Sequence, residues 1–171
     1  MVARLTDPRA QQLAIETMQI NTRAIDEVGI FCAAEAADCD QMWNEYAENG
    51  AGFVIGIDPG HISLEQLKGL GRFGKVSYSD EPIGSALGSL YNEDGVGALF
   101  RKRMKYAFER EWRIIRLLTR LESIPGDIFL SAFNPLIVRE IIIRPQCTVE
   151  TEIWQLIDTD KRYQHVEIIR L

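Results

Sequence analysis

The chain has 171 residues, 46% hydrophobic and 26% charged, with a formal net charge of −6. A chain of that length can bury roughly two-thirds of its unfolded surface and sustain a core without disulfides or a structural metal, which excludes disordered and fibrous classes. No apolar run approaches the roughly twenty residues needed to span a bilayer, and the N-terminus lacks the apolar stretch of a signal peptide, so a soluble cytoplasmic protein with no membrane partner is expected.

In chain order, Asp7-Pro8 is a good helix start, and Ala10, Leu13, Ala14, Met18, Ile25 and Val28 recur at helical spacing, predicting one long amphipathic helix ending near Gly29. Ile30 to Ala33 reads as a short strand. Asp40 is placed to cap a second helix, Gln41 to Glu48, stopped by Asn49-Gly50. Phe53 to Ile57 is a strand with few polar residues, turned by Asp58-Pro59-Gly60. Ser63 with Gln66 resembles a capping box opening a helix through Leu67.

Gly69-Leu70-Gly71-Arg72-Phe73-Gly74 matches Gly-x-Gly-x-x-Gly by letter. A dinucleotide fingerprint needs a strand before it and a helix after it. Here a predicted helix precedes and a predicted strand, Lys75 to Tyr78, follows, so a flexible turn is the better reading.

Residues Ser79 to Gly97 read as the longest loop, and Ala98 to Tyr106 as a basic helix leading into a strand from Phe108 to Leu118. Ile128 to Phe133 and Ile137 to Ile143 are further strands joined at Asn134-Pro135. A helix starting at Thr148 to Glu152 carries Ile153, Trp154, Leu156 and Ile157, closes at Lys161-Arg162 and is followed by a last strand, Val166 to Ile169. Without a strict βαβ rhythm the expected class is α+β: a single domain over residues 1–171, with a central mixed sheet of about five to six strands and flanking helices.

Cys32, Cys39 and Cys147 form no Cys-x-x-Cys pair, which suits a reducing compartment, and they read as small core or near-surface thiols. The negative balance argues against general nucleic-acid binding. It is not uniform, however. Between Arg101 and Arg120 eight basic residues oppose only Glu109 and Glu111, a local charge of +6, which leaves −12 on the remaining chain. Either surrounding acids neutralise this band, or it is a site for an anionic small molecule or an acidic protein partner.

Phe31-Cys32-Ala33-Ala34-Glu35, Met42-Trp43-Asn44-Glu45-Tyr46-Ala47 and Gly52 to Asp58, joined with Val76-Ser77-Tyr78 and Phe108 to Ile115, have an unusual grammar. Together they resemble a bacterial family known only as domain of unknown function twenty-nine seventy-one, over residues 29–145. Where that family commonly has Ser, His and a second His, this chain has Ala34, Glu45 and Gly50, and Thr6-Asp7-Pro8 stands in place of an N-terminal strand and Asn-Asp-Pro turn. The resemblance therefore implies a shortened or diverged member with a thinned polar set. It also implies a loose link to mobile elements and phage defence.

Glu109, Glu111 and Arg113 alternate, so along a strand they share one face, with Trp112 and Ile114 on the other. Two carboxylates about 7 Å apart at that spacing raise one pKa, which the adjacent guanidinium opposes. A Glu-x-Glu opening a strand is similar to that of some mono-ADP-ribosyltransferases, whose second Glu binds the nicotinamide ribose and stabilises an oxocarbenium-like transition state. That similarity implies Glu111 as a catalytic carboxylate, with Glu109 and Arg113 beside it and Tyr46 stacked on nicotinamide. The alternative is a surface ion-pair ladder. Trp43 and Tyr46, three apart on a helix, lie on the same side as either core anchors or a ligand platform.

Glu35, Asp38, Asp40 and His61 have no spacing that fixes a metal, and no Gly-x-Ser-x-Gly or Walker loop is present. No metal is expected, and the residues specify no cofactor. Two functions are carried forward. The preferred one is an uncharacterised accessory or binding module that takes an anion through the band, with Trp43, Tyr46, Arg103 and Lys105 as ligand-binding residues. The alternative is an NAD-dependent mono-ADP-ribosyltransferase-like or glycohydrolase-like enzyme using Glu111, so the protein stands undecided between enzyme and module.

Overall fold

Two strands with long apolar runs, each flanked by two partners, organise the chain in a computed structural model that describes residues 26–61, 72–81 and 97–171. The first is β6 (Glu111–Leu117), whose aromatic and β-branched residues favour the extended backbone. It lies between β1 (Val28–Ala34) and β3 (Arg72–Lys75), antiparallel to both. The register sets Cys32 and Gly74 opposite Arg113, and Ala34 opposite Glu111. The other face carries Phe73 stacked on Trp112 at 5.1 Å, with Lys75 above Trp112.

The second central strand is β9 (Val138–Ile143), antiparallel to β2 (Phe53–Ile57) and parallel to β10 (Glu167–Arg170), so this sheet is mixed. Ile141, Ile142 and Ile143 are consecutive and all buried, because both faces of the sheet are covered. On one face Ile141 and Ile143 pack with Ile153 and Ile157 of the C-terminal helix and with Val166. On the other, Ile142 packs with Trp43 and Ala47 of the segment around α1 (Asp40–Tyr46). The C-terminal helix is α2 (Glu150–Thr159).

The class is α+β, with a mixed sheet flanked by helices as expected, but among the described residues the strands do not join into one sheet of five or six. Two shorter pairs accompany the three-stranded sheets. In one, β4 (Ser77–Tyr78) runs parallel to β5 (Arg101–Lys102); in the other, β7 (Glu122–Ile124) forms a hairpin with β8 (Ile128–Leu130).

Several local expectations are corrected. The predicted basic helix from Ala98 to Tyr106 gives way to β5 and a 3-10 turn, Met104–Glu109. Local periodicity there is overridden by pairing of Arg101 and Lys102 with Ser77 and Tyr78. Asp40 does not cap α1: Cys39 occupies the cap position without a side-chain bond, and the Asp40 carboxylate instead accepts from Arg144 Nη2 at 2.5 Å. The strand predicted over Lys75 to Tyr78 is split at Val76 between β3 and β4. The hairpin β7–β8 was not anticipated. Its Pro125-Gly126-Asp127 loop has left-handed backbone at Gly126 and Asp127, which a Pro-Gly pair signals.

β1 begins at Val28, one residue before the predicted helix end; Asp26 is helical and Glu27 a turn residue, and the predicted helix before them lies outside the described residues. So do the Ser63 to Leu67 helix and most of the predicted loop between Ser79 and Gly97. Of the glycine-rich motif, Arg72 to Gly74 lie in β3, so no helix follows it.

Candidate functional site

The site begins where the 3-10 turn meets β6. Glu109 ends the turn, Arg110 adopts a left-handed backbone at φ 44° and ψ 51°, and Glu111 opens the strand. Glu109 therefore does not alternate with Glu111 along one strand, yet both side chains are buried, to 4% and 3% exposure. The left-handed step lets two successive acidic positions turn inward, at a local cost of about 1 kcal/mol. Arg110 itself pairs with Asp38 on the surface.

Lys102 holds the carboxylates together. Its Nζ pairs with Glu109 Oε2 and lies 3.3 Å from Glu111 Oε2. From the next position on the same face of β6, Arg113 grips Glu111 in a forked pair, Nε to Oε1 at 2.7 Å and Nη2 to Oε2 at 3.1 Å. Arg113 Nη1 also donates to the Leu99 carbonyl. The Glu111 backbone N–H donates to Tyr78 Oη at 2.8 Å, and the Tyr46 hydroxyl donates to Glu109 Oε1 at 3.2 Å. Across the sheet Cys32 is opposite Arg113, with its thiol beside the Glu111 carboxylate.

The cluster thus contains two acids and two bases, and its charges balance. Burial pushes the Glu111 carboxyl up, but the hydrogen bonds from Arg113, the neighbouring Cys32 thiol and the charges of Arg113 and Lys102 outweigh it, bringing it down to about 2. The opposing guanidinium expected beside the pair therefore prevails at Glu111, with Lys102 adding to it. Burial also opposes charge on Lys102, and its bonds to Glu109 and Glu111 outweigh that, leaving its pKa raised. Partial burial of the Cys32 thiol, with Glu111 beside it, lifts it to about 11, so it stays a neutral thiol at neutral pH.

The remaining predicted residues are divided. Trp43 is 1% exposed, packs in the core beside Ile142 and donates to the Ala37 carbonyl at 2.8 Å, so it is an anchor with no face for a ligand. Tyr46 does not share its surroundings: it is 64% exposed and reaches Glu109. Arg103, which precedes the 3-10 turn, and Lys105 within it are exposed. Glu35, Asp38, Asp40 and His61 are separated onto different partners, Lys75, Arg110, Arg144 and Asp58. Among the described residues no three of His, Cys, Asp and Glu are grouped to hold a metal ion.

The matched sequence runs through this site. Residues 42–114 match the family model described as Protein of unknown function (DUF2971). This is the family that the combined motifs resembled, over a narrower span than residues 29–145. The matched segment contains Tyr46, Tyr78, Lys102, Glu109, Glu111 and Arg113, whereas Cys32 lies before it. No curated protein and no solved structure matches the chain.

Lys102, Tyr78 and Cys32 were missed as site residues. Lys102 was visible only as one of eight cations, and Tyr78 only as part of the family grammar. Their roles depend on pairing between β4 and β5 and between β1 and β6, which no local pattern displays.

Proposed function

We propose that this protein is an intracellular binding or accessory module that takes an anionic ligand, a small molecule or an acidic protein segment, at the turn carrying Arg103 and Lys105. The observation that carries the reading is the division within the basic band. Lys102, Arg110 and Arg113 are each paired with a carboxylate. Arg103 and Lys105 stay exposed and, among the described residues, have no carboxylate partner, while Lys105 lies 4.6 Å from the Tyr106 ring centre. Glu109 and Glu111 are buried and saturated by other cations, so they do little to screen the turn from solvent, whereas the Asp80 carboxylate accepts from the Met104 N–H at 3.1 Å and offsets one of the two exposed cations. An accessory role of this kind fits the link to phage defence that the resemblance implies.

Replacing both residues, Arg103→Glu with Lys105→Glu, is expected to weaken binding of adenosine triphosphate or a hexaglutamate peptide at least about tenfold in low-salt calorimetric titration. Unchanged affinity for both probes, or no binding of either by wild type, overturns the reading.

A second reading, the nucleotide-dependent transferase or glycohydrolase, is favoured by one contact. The Tyr46 hydroxyl on Glu109 brings an exposed ring to the Glu-x-Glu pair, and Glu111 is ionised as an oxocarbenium-stabilising carboxylate must be. Nicotinamide release from nicotinamide adenine dinucleotide by wild type, lost in Glu111→Gln, would establish it. Absence of release with candidate targets present counts against it.

A further inference from the structure

Tyr46 combines an open ring with a fixed position. It ends α1 with 64% of its surface exposed, yet its hydroxyl is bonded to Glu109, which is itself buried and held by Lys102. Among the described residues no second ring and no cation lies on the Tyr46 ring. Tyr106 differs, because the Lys102 and Lys105 ammonium groups stand 4.7 and 4.6 Å from its centre. One run of contacts thus joins Tyr46 through Glu109 and Lys102 to Tyr106 and Lys105. Glu45, the acid beside Tyr46, accepts from Gln41 Nε2 at 2.8 Å.

An exposed aromatic face is apolar surface that water solvates poorly, and the hydroxyl tether removes ring freedom before any ligand arrives, so stacking there costs little additional ordering. A bare polyanion has nothing for such a ring to hold. Resting on the anion-binding reading above, we infer that the ligand is a nucleotide, with its phosphates at Arg103 and Lys105 and its base on Tyr46. The tyrosine supplies selectivity for the ring and the cations supply attraction for the charge.

The test compares adenosine triphosphate, inorganic tripolyphosphate and hexaglutamate on the 171-residue chain at one fixed salt concentration. The nucleotide should bind about tenfold tighter than tripolyphosphate, the size of effect expected from one base–aromatic stack. Tyr46→Ala should abolish that advantage and leave tripolyphosphate affinity unchanged, and Tyr46→Phe, which keeps the ring, should retain most of it. Tripolyphosphate or hexaglutamate binding as tightly as the nucleotide, or a Tyr46→Ala variant that keeps the preference, overturns the inference and leaves the anion-binding reading standing. Failure of all three probes overturns that reading itself.

Discussion

Glu111 is a buried carboxylate that stays charged because every oxygen has a cationic partner. Isolated in the interior, such a group would neutralise; here Arg113 and Lys102 offset the loss of hydration. Its folded-state pKa, about 2, lies below the ordinary 4.5 of an unfolded chain. A depressed acid contributes stability that is fully present above the unfolded value and is lost as pH falls toward the folded one. Urea-unfolding stability should therefore decline between pH 4.5 and about 2. Glu111→Gln should cost about 3 kcal/mol at neutral pH, because it leaves Arg113 and Lys102 short of countercharge. The difference between wild type and variant should shrink as the wild-type carboxyl protonates; a constant difference down to pH 2 would contradict the assignment. Glu111 is thus held as an anion at neutral pH, which excludes it as a general acid there.

At the scale of elements, α1 and the turn after it join two parts of the fold. Trp43 packs with Ile142 of the mixed sheet, Asp40 pairs with Arg144 beyond β9, and Tyr46 meets the 3-10 turn before β6. The helix is short and uncapped by side chains, so these contacts rather than intrinsic propensity maintain it. It ends at Tyr46, and Glu48, Asn49 and Gly50 then take positive φ of 49°, 56° and 91°. A Cβ at Gly50 would meet Arg144 Cδ at 3.4 Å, an ordinary contact, so the obstacle there is the backbone and not space. Gly50→Ala should destabilise by about 1–2 kcal/mol, read as a fall of several degrees in thermal midpoint. Gly50→Asn should cost less, since Asn tolerates left-handed backbone. Equal losses would argue against backbone strain as the cause. The Asn49-Gly50 pair was legible as a helix stop, although it forms a separate turn after the helix has ended. The strands at β2, β6 and β9 were legible for a local reason, their runs of β-branched and aromatic residues. The segment from Arg101 to Glu109 was not, because its conformation answers to β4 and to buried acids.

Across the whole molecule, the α+β class, most strand positions, the family resemblance and the +6 segment within a chain of −6 follow from the order of residues alone. Each of these is a property of neighbours along the chain, expressed as periodicity, composition or a count. Which strands pair is set by long-range packing, which among the described residues gives two three-stranded sheets and two shorter pairs in place of one sheet. It alone also decided which charges are neutralised. Arg110 meets Asp38 across 72 residues and Arg144 meets Asp40 across 104, separations over which spacing carries no signal. The same long-range packing buried Trp43, exposed Tyr46 and closed Lys102 and Arg113 over the two glutamates, leaving Arg103 and Lys105 facing solvent. Charge content is additive along a chain, but accessibility and pairing depend on which surfaces meet.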